Sequence, residues 1–277
     1  MAATEAPAID RLRPEEAAQA LRLSDEAGWN QTLEDWGVFL ELGTVFACRA
    51  PEDVIATAAL LPYGDIAWIG MVLVAAARRR RGLATALLGR VLDEAGRRGL
   101  QPWLDATPAG ATVYEPLGFR ALDAMTRLRR QGEEAFLPNA APEPDALARL
   151  VALDARAFGR ERARFLRALA GRPGSRIHRQ DDAVCLVRDG RRARHIGPLL
   201  AADEAGAVRL LDRVLGAEPG PLVIDLFDRA GRVREFLLGR GFAVERPFRR
   251  MARGVSGDAA LPAEARLALA AAGPEFG

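Results

Sequence analysis

Apolar positions along this chain change their spacing repeatedly, and each change marks an element. Leu83, Leu87, Leu88, Val91 and Leu92 recur at three- and four-residue steps, which predicts a helix from about Leu83 to Gly96 with one packing face. The preceding run Ile66 to Val74 is almost wholly apolar, β-branched and aromatic residues among it, and predicts a buried strand. Upstream, helical spacing covers about Pro14 to Ala27 and about Thr32 to Glu41, with strands near Gly43 to Arg49 and Val54 to Pro62. Downstream, Gly96 and Gly99 stop the helix, and a strand follows near Gln101 to Ala106. Thr112 to Leu117 forms a short helix ahead of Gly118-Phe119 and a last strand.

Gln131 to Pro144, rich in Pro, Glu and Ala, reads as a linker, and beyond it the pattern returns. Trp68-Ile69-Gly70-Met71-Val72-Leu73-Val74 aligns with His195-Ile196-Gly197-Pro198-Leu199-Leu200-Ala201. Leu104-Asp105 aligns with Ile224-Asp225, and Leu117-Gly118-Phe119 with Arg240-Gly241-Phe242. One duplicated fold accounts for this, with domains at 1–133 and 134–277. The second copy carries Ala202-Asp203-Glu204 where the first carries arginines, and Leu237 where the first has Tyr114. An acidic turn repels the anion that an arginine turn attracts, so the second copy is expected to differ from the first in chemistry.

Composition narrows the function. All 39 basic residues are arginine, which excludes lysine Schiff-base chemistry, and the net charge of +2 with interspersed acids argues against a nucleic-acid partner. No apolar run reaches the ~20 residues that cross a bilayer, and residues such as Glu5 and Asp10 near the start do not resemble a secretion signal, so a cytoplasmic protein without a membrane partner is expected. Two cysteines, Cys48 and Cys185, and two histidines, His178 and His195, are too few for a zinc cluster of common spacing. No metal is expected, and each is read as a buried structural group.

The junction after Val74 carries the strongest chemical signal. Arg79-Arg80-Arg81-Gly82-Leu83-Ala84-Thr85 joins a strand to an amphipathic helix. Gly82 supplies backbone angles closed to other residues, Ala84 keeps the turn free of bulk, and successive N–H groups at a helix start point at one anion. An arginine run by itself is a solvated face, but this position is where an anion site is expected.

On these residues the chain resembles the GNAT superfamily of acyl-CoA-dependent N-acyltransferases, whose pyrophosphate loop reads Gln/Arg-x-x-Gly-x-Gly/Ala. Arg79, Gly82 and Ala84 match that loop, and the strand before it, the Leu104-Asp105 strand and Tyr114-Glu115-Pro116-Leu117-Gly118-Phe119 follow in the family's order. Ala27-Gly28-Trp29-Asn30, Ile66 to Gly70, Leu104 to Thr107 and the later Ile196-Gly197-Pro198-Leu199 are similar to a bacterial tandem-domain branch.

The resemblance implies an α/β (α+β) fold of two GNAT-like domains, each a mixed twisted sheet flanked by helices, in which the strands of Val72 and Leu104 part for a pantetheine arm. It implies acetyl-CoA as cosubstrate, bound by Val72, Leu73 and Val74 along the strand and by Arg79, Arg80, Arg81, Gly82, Leu83, Ala84 and Thr85 at the diphosphate. Tyr114 becomes the acid for the leaving thiolate, or else a packed tyrosine. Many relatives carry a base Glu in the strand before the loop, where Trp68 to Val74 has no acid; Asp105, or Glu34 or Asp35 through water, is left to deprotonate the amine. Trp29 and Asp35 are candidates for the acceptor pocket, with Trp36 and Trp68 read as pocket or core. The expected reaction moves an acetyl group to a small-molecule amine or exposed amino group, with the second half shaping the acceptor cleft or a homodimer contact. The alternative is a non-catalytic acyl-CoA sensor.

Overall fold

The computed structural model describes residues 8–51, 53–132, 144–218, 220–254 and 261–277. Most of the expected linker, at 133–143, lies outside the described residues, as does Glu5. Two compact units emerge, residues 1–102 and 103–277.

The first unit is a meander with helices packed on it. It runs β1 (Ile9–Arg11), α1 (Ala17–Glu26), α2 (Leu33–Leu42), β2 (Thr44–Ala50), β3 (Asp53–Tyr63), β4 (Ile66–Val74) and α3 (Leu83–Arg97). β1 to β4 pair antiparallel in chain order. Helix α3 lies against β2, β3 and β4, burying Leu83, Leu87, Leu88, Val91 and Leu92, the face its spacing marked out. Strand β1 escaped the sequence pattern because three residues reading Ile-Asp-Arg carry no period; pairing with β2 defines it.

The second unit begins within β5 (Gln101–Ala106). It continues through α4 (Pro108–Tyr114), β6 (Phe119–Arg130), α5 (Pro144–Phe158), α6 (Ala163–Ala170), β7 (Arg176–Gln180), β8 (Ala183–Arg188), β9 (Arg194–Leu200) and α7 (Glu204–Ala217). Then come β10 (Leu222–Phe227), α8 (Gly231–Gly239), β11 (Ala243–Arg253) and β12 (Ala268–Ala270). Its strands are ordered β5-β11-β6-β10-β12-β9-β8-β7. The short helix expected from Thr112 starts earlier, because the Thr107 hydroxyl accepts from the Gly110 N–H at 3.1 Å and Pro108 takes the first helical position; residues 115–117 form a 3₁₀ turn instead.

Two features of that order matter. First, the copies exchange strands: β11, from the second repeat, lies between β5 and β6 of the first, and β6 of the first pairs with β10 of the second. Second, β9 and β10 pair in parallel only over Arg194–Ile196 and Leu222–Ile224, and then part. β12 enters the gap, Ala270 facing Leu226 on one side and Leu199 on the other. The Ala271 carbonyl presses so close to Gly197 that a β-carbon there would meet it at 2.0 Å. Alanine-rich residues 265–272 give no strand signal in sequence; the open ladder edges of β9 and β10 make β12 a strand.

Among the described residues no helix is long and apolar enough to cross a membrane, and no group of three or more His, Cys, Asp or Glu is placed to hold a metal ion. Cys48 and Cys185 are buried free thiols.

Candidate functional site

In the first unit the arginine turn leaves β4 through an irregular backbone. β4 holds one residue more than β3 between the Thr57–Leu73 and Ala59–Gly70 pairs, a bulge with Met71 at φ 53°. The buried Thr57 hydroxyl donates to the Met71 carbonyl at 2.8 Å and fixes it. Past the bulge, Val72 and Val74 are half-buried and Leu73 is buried. Arg79 turns back to donate from Nε to the Val74 carbonyl at 3.2 Å. Arg80 and Gly82 both take positive φ, 59° and 78°, so the chain reverses hand before α3 begins. Gly82 is the N-cap of α3 and no side chain caps it. The first-turn amides of a helix have no acceptor within the helix, so those of Leu83, Ala84 and Thr85 form an electropositive end beneath exposed Arg79, Arg80 and Arg81.

The equivalent helix of the second repeat is built the other way. The Asp203 carboxylate accepts from the Gly206 N–H at 2.7 Å, and Glu204 accepts from the Val233 N–H at 3.0 Å. An acid of the chain itself occupies the place where an external anion would sit.

The acceptor candidates of the first unit diverge. Trp29 is half-buried on the α1–α2 connection, its N–H bonded to the Ser24 carbonyl. Glu26, at the end of α1, accepts from the Ala76 N–H at 2.8 Å and ties that connection to the turn after β4. Asp35 is buried, and its carboxylate takes the Thr32 N–H at 2.8 Å while its own N–H reaches the Thr32 hydroxyl, a capping box that starts α2. Glu34 is exposed on the same turn. Trp36 and Trp68 are core residues with no exposed surface, Trp36 also donating to Ser24 Oγ.

In the second unit Tyr114 ends α4, its ring 5.7 Å from that of Phe119 and close over Gly110. A β-carbon on Gly110 would stand 3.2 Å from the Tyr114 ring, so the residue is cradled by its own helix. Burial pushes its phenol up to about 12. Asp105 accepts from Arg250 Nε and Nη2 at 3.0 and 2.9 Å, its side chain wholly buried. Burial, only partly offset by Arg250, raises this carboxyl above its ordinary value.

Asp105 has a counterpart. Asp225 accepts from Arg127 Nε and Nη2, both at 2.8 Å, and also takes Nε2 of His195 at 2.8 Å. Against the push of burial, Arg127 and His195 hold Asp225 well below the usual carboxylate range. Burial and the neighbouring Arg188 lower His195 to about 4, so its imidazole is neutral near pH 7. Arg127 and Arg250 were not singled out from the sequence, although a signal exists: each lies eight residues past the Phe of its Gly-Phe pair, 119 to 127 and 242 to 250.

A family model described as acetyltransferase (GNAT) family matches residues 10–119, and one described as acetyltransferase (GNAT) domain matches residues 150–260. The chain is similar to the uncharacterized N-acetyltransferase YitH of Bacillus subtilis (strain 168), 22% identical over 244 residues, covering 84% of this chain and 86% of that protein. Among solved structures, a putative acetyltransferase from Pyrococcus horikoshii superposes with a TM-score of 0.76 at 20% identity, over 100% of this chain and 98% of that one. A tandem GNAT protein from the clavulanic acid biosynthesis pathway does so at 0.65 and 15% identity, over 91% and 100%. The repeat seen in the pattern of residues is therefore two GNAT domains in tandem, and the protein belongs to the GNAT superfamily as an acyltransferase.

Proposed function

We propose that the protein is an acetyl-CoA-dependent N-acetyltransferase that acetylates the amine of a small molecule or an exposed amino group, with catalysis confined to the first repeat. The observation that carries this reading is the contrast between the two helix starts: α3 is uncapped beneath three exposed arginines, and α7 is capped by Asp203.

Amides from Arg80 to Thr85 bind the diphosphate, where the helix end contributes about half a positive charge. Val72 to Val74 pair with the pantetheine arm as a strand would, and the Val72 or Leu73 N–H polarises the thioester carbonyl. The amine nitrogen bonds to that carbon, the carbon–sulfur bond breaks and the sulfur takes the Tyr114 proton; the extra proton on the new amide nitrogen passes to water, and water returns one to the Tyr114 phenolate. A phenol raised to about 12 stays protonated throughout the neutral range, so the donor is loaded before the thiolate forms. Asp105, with both oxygens on Arg250, serves this reading as an anchor and not as the base; the amine enters as its neutral fraction or loses its proton to water. Trp29 borders the acceptor site, and Asp35 shapes it by holding α2 in place.

The second repeat does not turn over. Leu237 stands where a general acid is needed, and β12 fills the parting of β9 and β10.

A thiol-release assay with acetyl-CoA over a panel of amines tests this. CoA production with at least one acceptor is the expected result. Tight acetyl-CoA binding with no turnover on any amine would leave a sensor in place of an enzyme.

A further inference from the structure

We infer that Arg250 of the second repeat is a positioning residue for Tyr114 of the first, acting through its paired bonds to Asp105. The inference rests on the proposed role of Tyr114 as the acid. Tyr114 lies on the connection between β5 and β6, and those two strands do not pair with each other: β11 runs between them. On one side Arg249, Arg250, Met251 and Ala252 face Ala106, Asp105, Leu104 and Trp103; on the other Met251, Ala252 and Arg253 face Ala121, Arg120 and Phe119. Both supports of the Tyr114 ring, the Gly110 end of α4 reached from Ala106 and the Phe119 ring, therefore hang on ladder partners of β11. Helix α4 also packs on β11 directly, and Arg249 approaches Glu115 at 3.5 Å.

Within this arrangement Arg250–Asp105 is a lock on register. Sliding β11 along β5 by one residue would turn Arg250 to the opposite face and leave the Asp105 carboxylate buried without its guanidinium. The fork-to-fork geometry fixes direction as well as distance, which a single-point contact does not.

The duplication supplies its own control. Arg127 and Asp225 form the same bidentate pair at the equivalent strand positions, equally buried, but the residue standing for Tyr114 there is Leu237. Asp225 differs in also taking His195, so the stability losses need not match, but a purely structural role predicts no loss of kcat per folded molecule from either pair. A positioning role predicts a catalytic consequence for one of them only.

The test compares Arg250→Gln, the neutral pair Asp105→Asn with Arg250→Gln, and Arg127→Gln, all in the full chain. Arg250→Gln is expected to lower kcat roughly 10- to 100-fold, because small misplacements of a reacting group have effects of this size, with KM for acetyl-CoA changed by less than about twofold. Arg127→Gln is expected to lower the melting temperature while kcat per folded molecule stays within about twofold. The neutral pair avoids an orphaned charge, so it remains testable if the single variant does not fold, and it too should lower kcat.

A second readout does not need turnover. The chain has two tyrosines, so in a Tyr63→Phe background the ultraviolet titration of the phenol reports Tyr114 alone. Its midpoint, about 12 in the parent, should move toward the ordinary value near ~10 when Arg250 or the pair is replaced, and stay in place in Arg127→Gln. The inference is overturned if kcat survives in the Arg250 and paired variants, or if the phenol titrates unchanged in them. Failure of the parent to release CoA from any amine would instead remove the proposed function, and the titration would still decide whether Arg250 sets the surroundings of Tyr114.

Discussion

Arg250 meets Asp105 through two parallel hydrogen bonds, and the two residues belong to different repeats. The mirror pair, Arg127 with Asp225, crosses in the opposite sense. The tandem arrangement is thus an exchange of strands, each repeat lending one to the other, with a buried ion pair at each crossing. Such pairs contribute little net stability, yet removing one partner strands a charge and costs about 3–5 kcal/mol, so they enforce the exchange more than they strengthen it.

Tyr114→Phe removes a proton donor and leaves the ring that packs on Phe119. Its kcat for CoA release should fall by roughly 10²-fold or more, the usual contribution of general acid catalysis, with the dissociation constant for acetyl-CoA unchanged. Steady-state kinetics beside calorimetric titration measure both; an unchanged kcat would return Tyr114 to a packing role.

Gly82→Val places a branched side chain at φ 78°, where an L-residue pays about 1–2 kcal/mol, although the space around Gly82 is open. The turn should shift and weaken acetyl-CoA binding by about tenfold. Gly89→Val, exposed on the same helix, should bind normally, which separates the turn from general damage to α3.

Calorimetry should find one acetyl-CoA per chain. The second repeat offers Asp203 in place of an anion and β12 in place of an open parting, so a stoichiometry of two would contradict the reading of that half as inactive.

Acid should destabilise the fold in two windows. His195 is held near 4 against an unfolded value of 6.5, so the unfolded chain binds a proton between these limits that the folded chain does not, and stability falls as pH drops through them. The hydrogen bond from Arg49 is the main cause that holds Glu16 near 2 against 4.5, and its contribution, complete above 4.5, is lost as pH falls toward 2. Melting temperatures measured against pH should flatten in the upper window for His195→Gln and in the lower for Glu16→Gln.

The proposed mechanism assigns no side chain as base, so kcat/KM should rise with pH to an inflection set by the acceptor. Two amines of different basicity should give different inflections; a common one would point to an enzyme group.

Much of this was legible in the residue pattern. The strand Ile66–Val74 and the helix from Leu83 have the expected limits, because a long apolar run and a strict helical period override local exceptions. The duplicated motifs disclosed the tandem, and the sequence showed an acid at Asp203 opposite the arginine turn, which in the fold caps α7. Strands β1 and β12 were not legible, since three residues without a period acquire strand geometry only from the edges they meet. The partner of Asp105 was not legible, because Arg250 lies 145 residues away.

The sequence by itself determined which elements form, that there are two copies, and which copy keeps the glycine turn and the tyrosine; these depend on side-chain period and backbone permissiveness, which are local. Tertiary structure decided that the copies trade strands, that Arg250 reaches Asp105 while Arg127 reaches Asp225, and that β12 lies between β9 and β10. Ladder pairing is indifferent to distance along the chain: any strand of matching register and face can complete an edge, and only the folded arrangement specifies which one does.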